Sequence, residues 1–274
     1  IIPEKILPNG NLNTVTNAVQ GFIVEKFGWF YLLSATGFVI FALFLIFSKY
    51  GKIKLGKPDD KPDYSYLTWF AMLFSAGMGI GLVFWGAAEP LSHFHDPPNN
   101  IEPVTSEAAR TAMRYTFFHW GLHPWAVYAT IALALAYFKF RKGAPGLVSS
   151  ILEPLFGERV KGSFGTIVDF IVVFATIFGV ATSLGFGAIQ ISGGISFLFP
   201  NIEATKGLQL LIIATVTVLF LISAMTGLNK GIKYLSNTNI ILAISLMLFM
   251  LFVGPTNFIM DLFTTSLGSY IGNI

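Results

Sequence analysis

The sequence predicts an all-α, polytopic membrane protein, and three observations carry that prediction. Only 11% of the 274 residues are charged, under half of the ~25% usual in soluble domains. Hydrophobic residues make up 54%, including 28 phenylalanines, more than a water-facing surface can hide. Apolar runs of about 20 residues, enough to cross a bilayer as a helix, recur along the chain. Helices follow because backbone polar groups in lipid must be satisfied within their own segment. A disordered chain is excluded, and a soluble enzyme does not fit. The absence of cysteine removes disulfides, thiolate metal sites and cysteine nucleophiles.

Six spans are expected, at 29–47, 66–90, 112–138, 166–189, 208–225 and 240–253. Residues 11–26 have a mixed pattern and read as a surface-lying lead-in to the first. Basic residues orient the set. Lys49, Lys52, Lys54, Lys57 and Lys61 follow span one; Lys139, Arg141, Lys142, Arg159 and Lys161 follow span three; Lys230 and Lys233 follow span five. Those loops are expected to be cytoplasmic. The opposite side carries only Lys5, Lys26, Arg110, Arg114 and Lys206, which puts both chain ends outside. The chain starts at Ile1 with no basic region and cleavage site of a signal peptide, so a longer parent with an earlier span is expected.

Two loops are more than connectors. Ser106 is a candidate N-cap for a helix beginning at Glu107. Residues 146–159 read as a short amphipathic helix lying in the interface, and 258–274 as a similar segment whose only charge is Asp261.

The centre of span two reads SAGMGIGL, with Gly77, Gly79 and Gly81 alternating and Gly86 a turn further on. Each glycine costs a helix about 1 kcal/mol relative to alanine. Transporters use such breaks to offer carbonyls to sodium and helix ends to substrate. Close helix packing is the competing reading, because small residues let helices approach. At the end of this span Glu89 is either functional or a boundary carboxylate capping loop amides. Asp169, early in span four, reads as a snorkelling or structural acid.

Span three carries FFHWGLHPWAVY over residues 117–128. On an ideal helix Trp120, Trp125 and Tyr128 fall at about 0°, 140° and 80°, one broad arc. Pro124 cannot donate to the carbonyl of Trp120, which predicts a kink. Clustered aromatic faces attract cations, quaternary ammonium above all; ordinary aromatic packing is the alternative. His119 and His123 stand four residues apart and could ligate a metal, but no third ligand lies nearby, so hydrogen bonding between helices is the better expectation.

The segments GMGIGLVFWGAAEP (77–90) and HWGLHPWAVY (119–128) resemble the betaine/choline/carnitine transporter family, and within it the bacterial glycine betaine transporters. The resemblance covers essentially the whole chain. It implies two five-helix repeats of inverted topology preceded by two extra helices. On that scheme residues 1–28 are an outside-facing lead-in and 29–62 an extra transmembrane helix with its cytoplasmic loop. Residues 63–257 are the first repeat and 258–274 an interfacial connector, while the family's first helix and second repeat are absent.

The resemblance places Trp120, Trp125 and Tyr128 in an aromatic substrate box, with Gly77, Gly79 and Gly81 beside the substrate. The carbonyls around Ser75, Ala76 and Met78 match one edge of a sodium site. Thr176 matches the first of two threonines at a second sodium site. The other position holds Val180, which has no side-chain oxygen, and Thr182 and Ser183 lie on a different face. Gly81 stands where proton-coupled choline carriers have an acid, which favours sodium coupling and a zwitterion.

The implied function is sodium-coupled uptake of glycine betaine or a related trimethylammonium osmolyte by alternating access. Carnitine or choline exchange, proton-coupled choline transport and a channel are the alternatives. The implied location is the inner membrane, multi-pass. The implied partners are a quaternary ammonium substrate, the lipid bilayer, co-transported sodium, further copies in a homotrimer and the second repeat. No organic cofactor, nucleic acid or enzymatic reaction is expected.

Overall fold

A computed structural model describes residues 12–77 and 79–274, without the side chains of Ile80 and Asn229. Among the described residues the structure is helical, with no strand. Ten α-helices follow in order: α1 (Leu12–Phe47), α2 (Tyr66–Gly77), α3 (Ile80–His95), α4 (Ser106–Trp120), α5 (Leu122–Ala136), α6 (Glu153–Phe156), α7 (Ser163–Leu198), α8 (Lys206–Met225), α9 (Lys233–Val253) and α10 (Thr256–Gly272).

Five stretches are long and apolar enough to span a bilayer: α1, Ser106–Arg141, α7, α8 and Lys230–Val253. The pair Tyr66–Gly77 and Gly81–His95, bent by 54°, makes a sixth. The six expected spans are therefore all present, with different bounds. Residues 12–26, expected as a lead-in, are helical and continue α1 without interruption. At 1.5 Å per residue its 36 residues extend about 54 Å, well beyond the ~30 Å hydrocarbon layer. The rest of the lead-in, including Lys5, lies outside the described residues.

Packing is the reverse of a water-soluble core. The buried apolar positions are mostly small, such as Ala71, Ala108, Ala112, Ala126 and Ala188. Large apolar side chains point outward: Phe47, Phe197 and Met225 are each more than four-fifths exposed. Small residues between helices and bulky ones toward lipid is how membrane helices associate, because lipid offers no hydrophobic gain for burying leucine or phenylalanine.

Helix ends follow local chemistry. α4 is capped by Thr105, not Ser106: the Thr105 hydroxyl accepts from the amide of Ala108 at 3.1 Å, while Ser106 is already the first helical residue. α8 starts in the same way, with Thr205 accepting from Leu208 at 3.2 Å. Residues 146–159 form no continuous amphipathic helix. Successive short turns occupy Val148–Leu152, α6 and Gly157–Lys161, interrupted where Gly157 takes φ +56°, a conformation that favours glycine. Asp169 is a structural acid: it accepts from the Ser149 amide at 3.0 Å and hydroxyl at 2.6 Å, pinning these turns to α7. The Arg141 guanidinium donates to the carbonyls of Lys54 and Gly56, so the two loops that carry five basic residues each meet at one end of the bundle.

Candidate functional site

The break in the second span lies between α2 and α3. Gly79 is extended at φ −86°, ψ −173°, and precedes α3 with no side-chain cap. Met78 lies outside the described residues, so its expected sodium role has no geometry. Ser75, near the end of α2, is held by α9: the Asn239 amide donates to its hydroxyl at 3.1 Å, and that hydroxyl lies 3.4 Å from the Ser236 carbonyl. Ala76 is exposed.

The third span is also broken, but three residues before the expected kink at Pro124. Gly121, at φ −93°, ψ −141°, separates α4 from α5. Pro124 still matters, since it leaves the carbonyl of Trp120 without its helical donor. The indole of Trp125 fills that vacancy, donating to the Trp120 carbonyl at 3.0 Å. A proline thus fixes a tryptophan that sits next to it in sequence. On the other side of the break, the amide of Leu122 donates to the hydroxyl of Tyr270 at 2.8 Å. Tyr270 is buried, on α10.

The two breaks face each other. A methyl group placed on Gly77 would lie 1.9 Å from Cη2 of Trp125, and one on Gly81 would lie 3.8 Å from Cη2 of Trp120. The glycines of span two are therefore the seats of the two indoles. This joins the competing readings of the sequence: the helix is interrupted, and the small residues also permit close approach. Tyr128 meets Trp125 edge to face, with centroids 5.9 Å apart at 79°. Trp125 and Tyr128 remain partly exposed, at 39% and 50%. Their rings therefore offer open surface, which cation binding by ring faces requires.

Glu89 does not cap loop amides. It is 6% exposed and accepts from the indole of Trp120 at 2.7 Å. Nδ1 of His119 lies 2.9 and 3.0 Å from its two oxygens. A carboxylate only accepts, so that ring nitrogen carries the hydrogen. His93, one turn along α3, stands 3.7 Å away. His123 turns to another helix, 3.3 Å from the hydroxyl of Thr36 on α1. That hydroxyl already donates to Leu32, so Nε2 of His123 is the donor. The two histidines tie α4 to α3 and α5 to α1, and do not converge on one ion.

Thr176 is exposed on α7, and its hydroxyl donates to the Val172 carbonyl one turn back at 2.8 Å. Among the described residues no hydrogen bond links it to Ser75. The structure thus brings together Gly77, Gly81, Trp120, Trp125 and Tyr128, with Gly79 between the two glycines. Ser75 and Ala76 sit on the adjoining end of α2, while Thr176 makes its bond on a separate helix.

Sequence reasoning missed Tyr270, Asn239 and the bond between Glu89 and Trp120. An asparagine at the edge of an apolar span was a usable signal for Asn239. Nothing local marked Tyr270.

The sequence matches the family model described as "BCCT, betaine/carnitine/choline family transporter" over residues 5–274. It is 60% identical over 269 residues to the glycine betaine transporter OpuD of Bacillus subtilis, covering 98% of this chain and 52% of that protein. It is 45% identical to an ectoine/hydroxyectoine transporter of Virgibacillus pantothenticus, covering all of this chain and 54% of the relative. A glycine betaine/proline/choline transporter of Vibrio parahaemolyticus is 46% identical, over 93% of this chain and 49% of its own length. The chain spans about half the length of these curated relatives.

Proposed function

The chain belongs to the betaine/carnitine/choline transporter family, a family of transporters and not of enzymes, and from that premise we propose that it forms the half of a glycine betaine carrier that holds the quaternary ammonium group. The observation that carries this reading is the seating of Trp120 over Gly81 and Trp125 over Gly77, with Tyr128 against Trp125. Neutral ring faces bind a trimethylammonium head without a counter-charge. That suits a zwitterion, whose own carboxylate must be accommodated elsewhere. The uncapped start of α3 at Gly79 is suited to it, since free amides and the helix dipole favour an anion there.

Sodium coupling belongs to the same proposal. The carbonyls at the end of α2 around Ser75 and Ala76, with Met78, would form one edge of an ion site, where an interrupted helix leaves oxygens free. Thr176 is the candidate ligand at a second site. Rocking of this repeat against a second, inverted one would provide alternating access. The joined basic loops, with Arg141 bonded to the loop carrying Lys54, would face the cytoplasm of a cell whose inner membrane holds the carrier, in a homotrimer.

Radiolabelled betaine uptake by the whole open reading frame that contains this chain tests the cage. Trp120→Leu and Trp125→Leu should each raise the apparent KM about tenfold or more, since a desolvated cation–π contact is worth ~2 kcal/mol. Unchanged affinity in both would sink the assignment. Replacing sodium by lithium at fixed membrane potential should abolish accumulation. Persistence of uptake would select exchange instead.

A further inference from the structure

Glu89 is the most enclosed carboxylate next to the proposed cage, and the cage reading as stated does not use it. Among the described residues, its hydrogen bonds are all to side chains. The indole N–H of Trp120 reaches one oxygen at 2.7 Å, His119 bridges both at 2.9 and 3.0 Å, and His93 lies 3.7 Å from the other. With 6% exposure and this set of donors around it, the carboxylate is not free to meet a ligand cation directly. It can act only through the groups bonded to it. Of these, Trp120 is the one that also presents a ring to the glycine break, above Gly81.

A hydrogen bond from a neutral N–H to a carboxylate is charge-assisted, short and strong. In a low-dielectric surrounding it polarises the donor. For an indole, polarisation of the N–H bond moves electron density toward the ring, and the negative face of the ring is what attracts a cation.

We infer that Glu89 is a positioning residue for the substrate cation: through its bond to the indole nitrogen it fixes the plane of Trp120 and makes the ring face more negative, so the site gains cation affinity without placing a charge in the cage. This deepens the function proposed above and rests on it. The carboxylate stays at the edge of the ring, where the in-plane N–H points, and the ligand would meet a ring face. A carboxylate in direct contact would strip water from both charges at a desolvation cost that can cancel the attraction. Acting through the indole avoids that cost and still transmits part of the field.

The test compares two ligands of the same shape in the whole carrier: glycine betaine and 3,3-dimethylbutanoate, in which carbon replaces the quaternary nitrogen. Both affinities are measured by displacement of radiolabelled betaine. Glu89→Gln keeps an acceptor oxygen and the side-chain shape but removes the charge. It should weaken betaine about three- to tenfold and leave 3,3-dimethylbutanoate within about twofold, so the ratio between the two ligands falls. Glu89→Ala, which also frees the ring, should weaken both. An unchanged ratio in Glu89→Gln, or equal weakening of both ligands, overturns the inference while leaving the cage standing. If the wild type binds the two ligands equally well, or Trp120→Leu leaves betaine binding intact, the cage reading itself fails and the inference goes with it. A spectroscopic readout does not depend on any Glu89 variant. The ultraviolet resonance Raman band that reports indole N–H bonding, assigned to Trp120 by difference against Trp120→Phe, should show a strong hydrogen bond. A weak or free N–H there overturns the proposal.

Discussion

The break between α2 and α3 and the break between α4 and α5 both use a glycine outside helical conformation, Gly79 and Gly121, yet their polar groups meet different fates. At Gly121 the freed groups are consumed within the protein: Trp125 takes the carbonyl of Trp120, and Tyr270 takes the amide of Leu122. At Gly79 no described side chain caps the helix that follows, and the glycine is exposed. An interruption in a spanning helix exposes backbone groups that lipid cannot satisfy. One break meets that demand internally and so becomes a rigid mount for the tryptophans. At the other, no side-chain cap is present among the described residues, which suits the proposed site for ions or substrate. The difference separates a break satisfied by side chains from one that suits the proposed site.

Breaking the mount should have the largest effect. A methyl group at Gly121 would lie 2.4 Å from the Phe117 carbonyl and 2.6 Å from the Tyr270 hydroxyl. Backbone cannot step aside as a side-chain tip can, so Gly121→Ala should cost about 3 kcal/mol, the upper range of overpacking. Thermal unfolding of the detergent-solubilised carrier, followed by fluorescence, should show a clearly lowered midpoint. A wild-type midpoint would mean that the Gly121 break is not rigid.

The glycines beneath the indoles offer a sharper contrast. Gly77→Ala must push Trp125 aside, because its methyl would sit 1.9 Å from the ring; betaine affinity should fall about tenfold, near the loss from Trp125→Leu. Gly81→Ala meets Trp120 only at 3.8 Å, ordinary contact, and affinity should move less than about twofold. Equal effects at the two positions would break the proposed pairing of glycines with tryptophans. The smallest change is Tyr270→Phe, which removes one hydroxyl and leaves the ring. Loss of that hydrogen bond should cost about 1 kcal/mol, read as a modest drop in midpoint with betaine KM within about threefold. A large KM effect with unchanged stability would move Tyr270 from the mount to the site.

Much of this was legible in the chain before folding. The charge share, the apolar runs and the two motifs led to an all-helical carrier, and the Gly-x-Gly-x-Gly pattern located the open break. Placement at Pro124 instead of Gly121 erred for a physical reason. Proline close to the start of a helix is tolerated, since the first amides have no helical partners anyway. Pro124 therefore fits inside the first turn of α5, and the interruption falls on the residue with least backbone restriction. The extent of α1 was also underread, because hydropathy marks the part of a helix that lies in lipid and not where its hydrogen bonding begins.

Sequence by itself determined what is periodic or compositional: a membrane environment, the number of spans, the clustering of basic loops and the aromatic residue types available for a cation. These follow from local transfer energies and do not depend on which helix meets which. Tertiary structure decided the pairings: Trp125 on Gly77, Trp120 on Gly81, Glu89 on the indole N–H of Trp120, and Tyr270 on the amide of Leu122, 148 residues apart in the chain. Such contacts join groups whose separation along the backbone carries no signal. Their direction is set only when packed helices bring a donor within about 3 Å of its acceptor.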